Sequence, residues 1–337
     1  MRVGIIGFGK MGMLHGALLH SIENVELVAI TDTSKFVLNG FKSLFPNIRV
    51  FTSYEKMIDS CDLHAVIIAT PSFNHVSIAK YALERGLDLF IEKPLSNTLK
   101  DCKELLQLAQ NRNAVVMIGF CMRYNPMFAK GKEIVDSRIV GDIIKADAYI
   151  YCSDVLSQQS GWRFDPAISG GGVLIDFAVH MVDLLYHYFG NASAVSGNIS
   201  SVYSRQVEDE TTAELYFQSG LQATLHASWS KPEYRKPFYK IEIAGSLGSL
   251  SITDQDIQLN VGGIEKIYYP EHYEGYYIDI GGPHFSKQME SFVKSVQTRQ
   301  EPKANLTAGL HTQNIINAIY TSAATGKRQA VSEDDTL

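Results

Sequence analysis

The first thirty residues constrain the fold more than any other part of the chain. A short apolar run, Arg2 to Ile6, precedes the turn Gly7-Phe8-Gly9-Lys10-Met11-Gly12, and a helical pattern then continues to Leu19. A second apolar run, Val25 to Ile30, leads to Asp32. This order predicts a strand, a tight turn, a helix and a second strand parallel to the first. Parallel strands joined by helices form a sheet that helices cover on both faces.

The spacing of the glycines also predicts a ligand. GxGxxG between a strand and a helix, with an acidic residue twenty positions after the last glycine, is the fingerprint of dinucleotide binding. The glycines let the backbone approach a pyrophosphate, which rests on the helix N-terminus. Asp32 would bind the adenosine ribose hydroxyls and repel a 2′-phosphate, which favours NAD(H) over NADP(H). A purely structural glycine turn is the alternative, but it leaves Asp32 without a role.

The alternation of strands and helices extends over the first third of the chain. Apolar strands are predicted near Val50 and over Ala65–Ala69, Leu87–Ile91 and Ala114–Ile118, with a helical pattern before each of them except Ala65–Ala69. Short right-handed crossovers between such strands give a doubly wound parallel sheet. We therefore predict an N-terminal dinucleotide-binding Rossmann domain over residues 1–120.

The pattern changes near Gly119, after which strands dominate. Ser219-Gly220 and Gly262-Gly263 mark hairpin turns, and the short connections indicate a large, mostly antiparallel open sheet. The fold class is therefore α/β, with a substrate-binding and oligomerisation domain over residues 121–337. We expect the C-terminal helix, about 307–324, to pack back on the first domain.

The stretch from Ser169 to Gly190 carries the candidate chemistry of this second domain. It is predicted as one helix that three glycines open and Gly190 closes, and it is apolar on all sides, as a buried helix is. Asp176, His180 and Asp183 nevertheless fall on one stripe. Burying ionisable groups costs free energy unless they are paired or used. A satisfied core pair and a ligand-facing stripe both remain open from this pattern.

Composition excludes several other classes of function. A net charge of -6 over 337 residues gives no electrostatic reason to bind nucleic acid or an anionic membrane. The four cysteines are scattered without a CxxC motif, which predicts neither disulfides nor zinc and fits a reducing cytoplasm. The histidines show no metal-ligand spacing. The sequence predicts no signal peptide, no membrane span and no metal.

Taken together, these motifs make the chain similar to the glucose–fructose oxidoreductase, inositol dehydrogenase and rhizopine catabolism (Gfo/Idh/MocA) family. The residues that carry the resemblance are the fingerprint, Ala69-Thr70-Pro71, His75, Glu92-Lys93-Pro94, Trp162-Arg163, Gly170-Gly171-Gly172 with Asp176 and His180, and Tyr320, Ser322 and Gly326. The resemblance implies a Rossmann domain followed by an α/β domain whose open sheet often carries the oligomer interface. It also implies NAD(P)-dependent oxidation or reduction of sugars, cyclitols or nucleotide sugars.

The resemblance also assigns roles to individual residues. Lys93, Asp176 and His180 match the catalytic trio, with His180 as the general acid and base. The implied cofactor-binding residues are Gly7, Phe8, Gly9, Lys10, Met11, Gly12, Asp32, Thr33, Ala69, Thr70, Pro71, Asn74, His75, Glu92, Lys93 and Arg123. The implied substrate-binding residues are Lys93, Arg123, Trp162, Arg163, Asp176, His180 and Asp183. For Arg123, Trp162-Arg163 and Asp183 a structural role, such as a salt bridge, is left open.

One departure bears on the substrate. Inositol dehydrogenases tend to have Gly-Phe-x-Arg-Arg-Tyr-Asp after the sixth strand, where this chain has Met122 for the first arginine and Asn125 for the aspartate. This puts myo-inositol in doubt.

Two other functions on the same fold are a non-catalytic dinucleotide-binding regulator and an NAD-dependent glycosidase. We expect a homodimer or homotetramer formed through the C-terminal sheet, and Tyr276-Tyr277 at the rim of the pocket.

Overall fold

The computed structural model describes residues 1–157, 160–270 and 281–331. These residues form two units by spatial proximity. The first contains Met1–Phe120 and residues 281–310, and the second contains the described residues from Cys121 to 270 and from His311 to 331. The prediction for Tyr276-Tyr277 lies outside the described residues.

The described part of the first unit contains a parallel sheet of six strands in the order β3-β2-β1-β4-β5-β6. The strands are β1 (Arg2–Ile6), β2 (Glu26–Thr31), β3 (Arg49–Phe51), β4 (Ala65–Ile68), β5 (Asp88–Ile91) and β6 (Val116–Ile118). Every residue of β4 and β5 is buried, as in strands covered on both faces. The predicted doubly wound Rossmann sheet is confirmed.

Five helices connect these strands: α1 (Lys10–His20), α2 (Lys35–Leu44), α3 (Tyr54–Ser60), α4 (His75–Glu84) and α5 (Leu99–Arg112). The hydroxyls of Ser34, Ser53 and Thr98 cap α2, α3 and α5 by accepting hydrogen bonds from backbone N–H groups of the first turn. Sequence reasoning missed α3, which is short and contributes only Met57 and Ile58 to the core.

The second unit is built on a sheet whose nine described strands follow the order β14-β13-β12-β11-β7-β10-β9-β8-β15. The strands are β7 (Ile143–Tyr151), β8 (Ala192–Ser200), β9 (Glu210–Phe217), β10 (Gln222–Ser228), β11 (Phe238–Gly245), β12 (Gly248–Thr253), β13 (Ile257–Val261), β14 (Ile264–Tyr268) and β15 (Gln329–Ala330). Only β7 and β10 pair in parallel, which confirms a mostly antiparallel sheet. The two-residue β15 was not predicted.

The candidate helix of the second unit differs from the prediction of one continuous helix from Ser169 to Gly190. After α6 (Pro126–Asp136) and α7 (Asp154–Ser157), a short helix α8 (Pro166–Ser169) ends at Gly170 in the left-handed conformation. A π-helical segment, Leu174–Ala178, then leads directly into α9 (Val179–Phe189), which Gly190 terminates. The glycine run breaks the helix because Gly170 and Gly171 have positive φ angles of 81° and 155°.

Two helices close the chain: α10 (Pro283–Thr298) and α11 (Leu306–Thr325). The first turn of α11 belongs to the first unit and the remainder to the second. The stretch Pro166–Phe189 is long and apolar enough to cross a membrane, but 83% of its most apolar window is buried inside the protein. The core helix of a globular domain has this property as well.

Candidate active site

The glycine-rich turn after β1 has the open geometry that a pyrophosphate requires. Gly9 is exposed, and a Cβ built on it would meet no atom within 4 Å. Gly12 is enclosed instead, because a Cβ there would lie 2.0 Å from the carbonyl oxygen of Gly7. The turn therefore leaves its outer backbone bare at the N-terminus of α1, where N–H groups favour an anion.

Asp32 follows β2 at the same edge of the sheet. Its Oδ2 atom accepts a hydrogen bond from the N–H of Phe8 at 2.8 Å, and its Oδ1 atom accepts one from Ser34 at 2.8 Å. The carboxylate is thus fixed beside the glycine turn. A carboxylate oxygen has further lone pairs, so Asp32 can still accept bonds from ribose hydroxyls.

The loops after β4 and β5 are held together by His75, the first residue of α4. The ring of His75 is buried, and its two nitrogens lie 2.8 Å from the carbonyl oxygen of Thr70 and 2.9 Å from that of Pro94. Burial lowers the pKa of His75 and so favours the neutral ring. The buried ring lies between the Ala69-Thr70-Pro71 and Glu92-Lys93-Pro94 loops, and in its neutral form its single N–H donates to one of the two carbonyl oxygens.

Glu92 is anchored by a residue that sequence reasoning did not connect with it. The Nε2 atom of His15 lies 2.6 Å from the Oε1 atom of Glu92, and both side chains are buried. Burial alone would raise the pKa of Glu92, but the hydrogen bond and charge of His15 lower it below the ordinary value. Lys93, next to Glu92, is half-buried at the carboxyl end of β5.

The other cofactor-binding residues predicted for the first unit lie at this carboxyl edge of the parallel sheet, where α/β folds bind ligands. Lys10 and Thr33 are exposed, whereas Met11, Ala69, Pro71 and Asn74 are half-buried. The structure thus brings the predicted cofactor residues of the first unit to one edge. Their contact with a dinucleotide stays a prediction.

In the second unit, the π-helical segment carries Asp176 in an ion pair. Arg163 donates to the Oδ2 atom of Asp176 from Nε at 2.9 Å and from Nη2 at 2.5 Å. Burial alone would lower the pKa of Arg163, but the charge of Asp176 raises it. Arg163 also lies over the ring of the buried Trp229, 5.2 Å from its centroid. Trp162, which precedes it, is 39% exposed.

Asp183 lies two helical turns after Asp176 and forms an ion pair with a different arginine, Arg123. Arg123 donates from Nε to Oδ2 of Asp183 at 2.7 Å and from Nη2 to Oδ1 at 2.6 Å. The two side chains are 4% and 1% exposed. Burial alone would lower the pKa of Arg123, but the charge and hydrogen bonds of Asp183 raise it. The salt bridge left open for Arg123 and Asp183 is therefore present, and their predicted ligand contacts stay predictions.

His180 lies between these two carboxylates along the helix and is 8% exposed. It is the second residue of α9 and follows the π-helical segment directly. Such segments occur frequently at functional sites. The helix thus presents one imidazole beside two carboxylates that arginines hold in place.

Sequence reasoning missed Glu208, which lies just before β9. Its buried carboxylate binds backbone N–H groups at the start of the helix that carries Asp176. The acidic pair Glu208-Asp209 just before the half-buried strand β9 was a signal in the sequence, but nothing in it indicated the partner. Among the described residues, no group of three His, Cys, Asp or Glu side chains could hold a metal ion.

Comparisons with known proteins place the chain in a family. Residues 1–120 match the model of an oxidoreductase family with an NAD-binding Rossmann fold, and residues 128–251 match the GFO/IDH/MocA C-terminal domain. Oxidoreductase P35 of Formosa agariphila is 29% identical over 280 residues, which cover 80% of this chain and 86% of that protein. Levoglucosan dehydrogenase of Pseudarthrobacter phenanthrenivorans is 28% identical over 285 residues, covering 74% and 73%.

A solved structure extends the similarity to the whole fold. The complex of a levoglucosan dehydrogenase with NADH and levoglucosan has a TM-score of 0.89 to this chain and is 24% identical, covering 99% of this chain and 100% of that one. The open turn at Gly9 and the fixed carboxylate of Asp32 fit the NAD that the family model describes. The chain therefore belongs to the Gfo/Idh/MocA family and is an NAD-dependent oxidoreductase.

Proposed function

We propose that this protein transfers a hydride between NAD and a secondary alcohol or ketone of a sugar, cyclitol or nucleotide sugar, with His180 as the general acid and base. The observation that carries the proposal is the buried helix on which His180 lies between two carboxylates, each fixed by an arginine. The arginines account for the burial of both carboxylates, and His180 is the ionisable group of this stripe to which we assign the proton transfer.

NAD, when bound, accepts or returns the hydride at its nicotinamide ring. The chain's own residues then have to accept or donate the proton of the substrate hydroxyl. In alcohol oxidation the proton leaves the substrate oxygen for a ring nitrogen of His180, and in ketone reduction it returns from there. An imidazole, with a reference pKa of about 6.5, exchanges a proton readily near neutral pH.

Asp176 and Lys93 assist this step in different ways. Asp176, held by Arg163, supplies a fixed negative charge one helical turn before His180, which stabilises the imidazolium and orients the ring. Lys93 lies at the carboxyl end of β5, and its ammonium group would stabilise alkoxide character on the reacting oxygen. Trp162 and Arg163 contact the substrate in this proposal, and the predicted cofactor residues around Gly9 and Asp32 hold the dinucleotide.

The proposed substrate class rests on the named relatives and on the sequence motif that contains Asn125. The most similar relatives include a levoglucosan dehydrogenase, which makes an anhydrosugar or simple hexose the first substrate to test. Asn125, which stands where inositol dehydrogenases tend to have aspartate, is buried and caps α6 by accepting bonds from Met127 and Phe128. An aspartate could accept the same two bonds, so this cap does not discriminate between substrates, and the doubt about myo-inositol rests on the departures of the sequence motif at Met122 and Asn125.

Two further assignments belong to the proposal. The N-terminal domain, residues 1–120, binds the cofactor, and residues 121–337 bind the substrate and form a homodimer or homotetramer through the nine-stranded sheet. We place the protein in the cytoplasm, because all four cysteines are buried thiols outside any disulfide. The regulator is not favoured, because Lys93, Asp176 and His180 are all present, and the glycosidase is not favoured, because the relatives include levoglucosan and scyllo-inositol dehydrogenases.

An activity screen tests the function. The purified protein, with NAD⁺ or NADP⁺, is offered levoglucosan, hexoses, inositols, nucleotide sugars and nitrophenyl glycosides, and NADH formation is followed by absorbance. We expect turnover of a sugar with NAD⁺ and its loss in His180→Ala. Tight NADH binding without turnover of any alcohol would favour the regulator, and release of nitrophenol would favour the glycosidase.

A further inference from the structure

The helix that carries Asp176 and His180 begins against a buried carboxylate from a distant part of the sequence. The Oε1 atom of Glu208 accepts hydrogen bonds from the N–H of Gly172 at 2.8 Å and from the N–H of Leu174 at 3.1 Å. The carbonyl oxygen of Glu208 accepts a third, from the N–H of Val173 at 2.9 Å. Three consecutive N–H groups at the helix start thus donate hydrogen bonds to Glu208.

These N–H groups would otherwise be unsatisfied. The first N–H groups of a helix have no partner within it, and a negative charge near them is stabilising. In this helix the N-cap residue is Val173, which offers no side-chain cap, and the three residues before it are glycines. Glu208 supplies that cap from outside the helix, with only 7% of its surface exposed.

The backbone packs closely against Glu208 and Tyr320 at two positions where the chain has glycine. A Cβ on Gly172 would lie 2.0 Å from the carbonyl oxygen of Glu208, and a Cβ on Gly171 would lie 2.0 Å from the hydroxyl oxygen of Tyr320. The Tyr320 hydroxyl donates to Oε1 of Glu208 at 2.7 Å. The glycines are therefore required for the backbone to reach the carboxylate.

The anchored segment continues directly into the candidate catalytic residues. The N–H of Asp176 donates to the carbonyl oxygen of Gly172 at 3.1 Å, so that displacement of Gly172 displaces Asp176. His180 follows one turn later on the same unbroken backbone. A shift of about 1 Å in a catalytic group can reduce a rate about 100-fold.

We propose that Glu208 is a positioning residue that fixes the start of the helix bearing Asp176 and His180, and so sets the place of the imidazole. The proposal rests on the proposed role of His180. Burial raises the pKa of Glu208, and the hydrogen bonds of Tyr320 and of the helix N–H groups oppose that rise. The carboxylate thus exchanges solvation by water for bonds to the helix.

The neighbouring residue offers a matched control. Asp209 is fully buried, and its carboxylate accepts three backbone hydrogen bonds, from Val202 and Tyr203 at 2.7 Å and from Ser204 at 2.6 Å. It has the same chemistry as Glu208, but it anchors the loop before β9 and not the helix. Loss of either charge should therefore cost stability, and only loss of Glu208 should disturb the helix.

The test compares Glu208→Gln with Asp209→Asn in the full chain. Hydrogen–deuterium exchange, NADH affinity, and kcat and KM for the best sugar of the screen are measured on both. We expect Glu208→Gln to speed exchange over residues 172–180 and to lower kcat about 10- to 100-fold, while NADH affinity stays within about twofold. Asp209→Asn should speed exchange over 202–204 and keep kcat within about twofold. Tyr320→Phe should lower kcat less than Glu208→Gln.

Two results would overturn the proposal: unchanged exchange over 172–180 in Glu208→Gln, or equal losses of kcat in both variants, which would report general destabilisation. If the wild type turned over no substrate, the proposed function would fail separately. The exchange data would then still decide whether Glu208 holds this segment.

Discussion

Replacing Asp183 with asparagine removes one charge from a buried ion pair and tests whether that pair is structural. The side chains of Arg123 and Asp183 are 4% and 1% exposed, and they share hydrogen bonds of 2.7 and 2.6 Å. An exposed pair would contribute only about 0–1 kcal/mol. Removal of one partner from a buried pair leaves the other charge uncompensated, which costs about 3–5 kcal/mol. We expect Asp183→Asn to lower the free energy of unfolding by this amount.

Two further variants separate charge burial from other effects. Lys130 and Glu133 form a pair of similar length, 2.8 Å, but are 46% and 68% exposed, so Glu133→Gln should cost less than about 1 kcal/mol. The double variant Arg123→Met/Asp183→Leu removes both charges and fills the space with apolar groups. It should recover most of the stability that Asp183→Asn loses, because no charge is left buried alone.

The assay is denaturant unfolding followed by circular dichroism, with NADH affinity and kcat measured on the same samples under native conditions. A structural pair predicts a large loss of stability and nearly unchanged NADH affinity in Asp183→Asn. The reasoning is refuted if the unfolding free energy stays within about 1 kcal/mol of the wild type while KM for the sugar rises strongly. Asp183 would then contact the substrate, as the family resemblance implied.

Three other expectations concern the first unit. Wild type should bind NADH more tightly than NADPH, and Asp32→Ser should reduce that preference, measured by fluorescence titration, because the carboxylate repels a 2′-phosphate. Because burial lowers the pKa of His75, the folded state binds a proton less readily than the unfolded state does, so the stability it contributes is lost as pH falls below about 6.5. His75→Gln should flatten that part of the stability profile, measured by unfolding at pH 5 to 8; an unchanged slope would contradict this. Lys93→Met should lower kcat for the sugar, and an unchanged kcat with weaker NADH binding would instead assign Lys93 to the cofactor.

Much of the fold could be predicted because local patterns and long-range packing agree. The fully buried strand β4 is a continuous apolar run in the sequence, and Gly7 and Gly12 of the fingerprint stand where a side chain would collide with backbone atoms. The helix with Asp176 and His180 was also recognisable from its unusual mixture of apolar and ionisable residues. Each of these features is determined by a few consecutive residues.

The remaining features depend on partners that are distant in the sequence. Nothing near Asp183 indicates that Arg123 binds it, and nothing near Gly172 indicates Glu208. The π-helical segment was missed because the apolar residues surround the helix on all sides and give no period that would distinguish i+4 from i+5 bonding. The pairing of His15 with Glu92 likewise joins residues that only the folded sheet brings together.

The role of His180 is the central claim, and single-turnover hydride transfer measured against pH tests it most directly. In the wild type, alcohol oxidation should rise with pH through the imidazole pKa, because only the neutral ring can accept the hydroxyl proton. His180→Ala should lower the transfer rate about 10²- to 10⁴-fold, abolish that rise and leave NADH affinity nearly unchanged. If His180→Ala instead lowered the melting temperature while the folded enzyme kept the wild-type rate and pH profile, His180 would be a core residue and the account would be wrong.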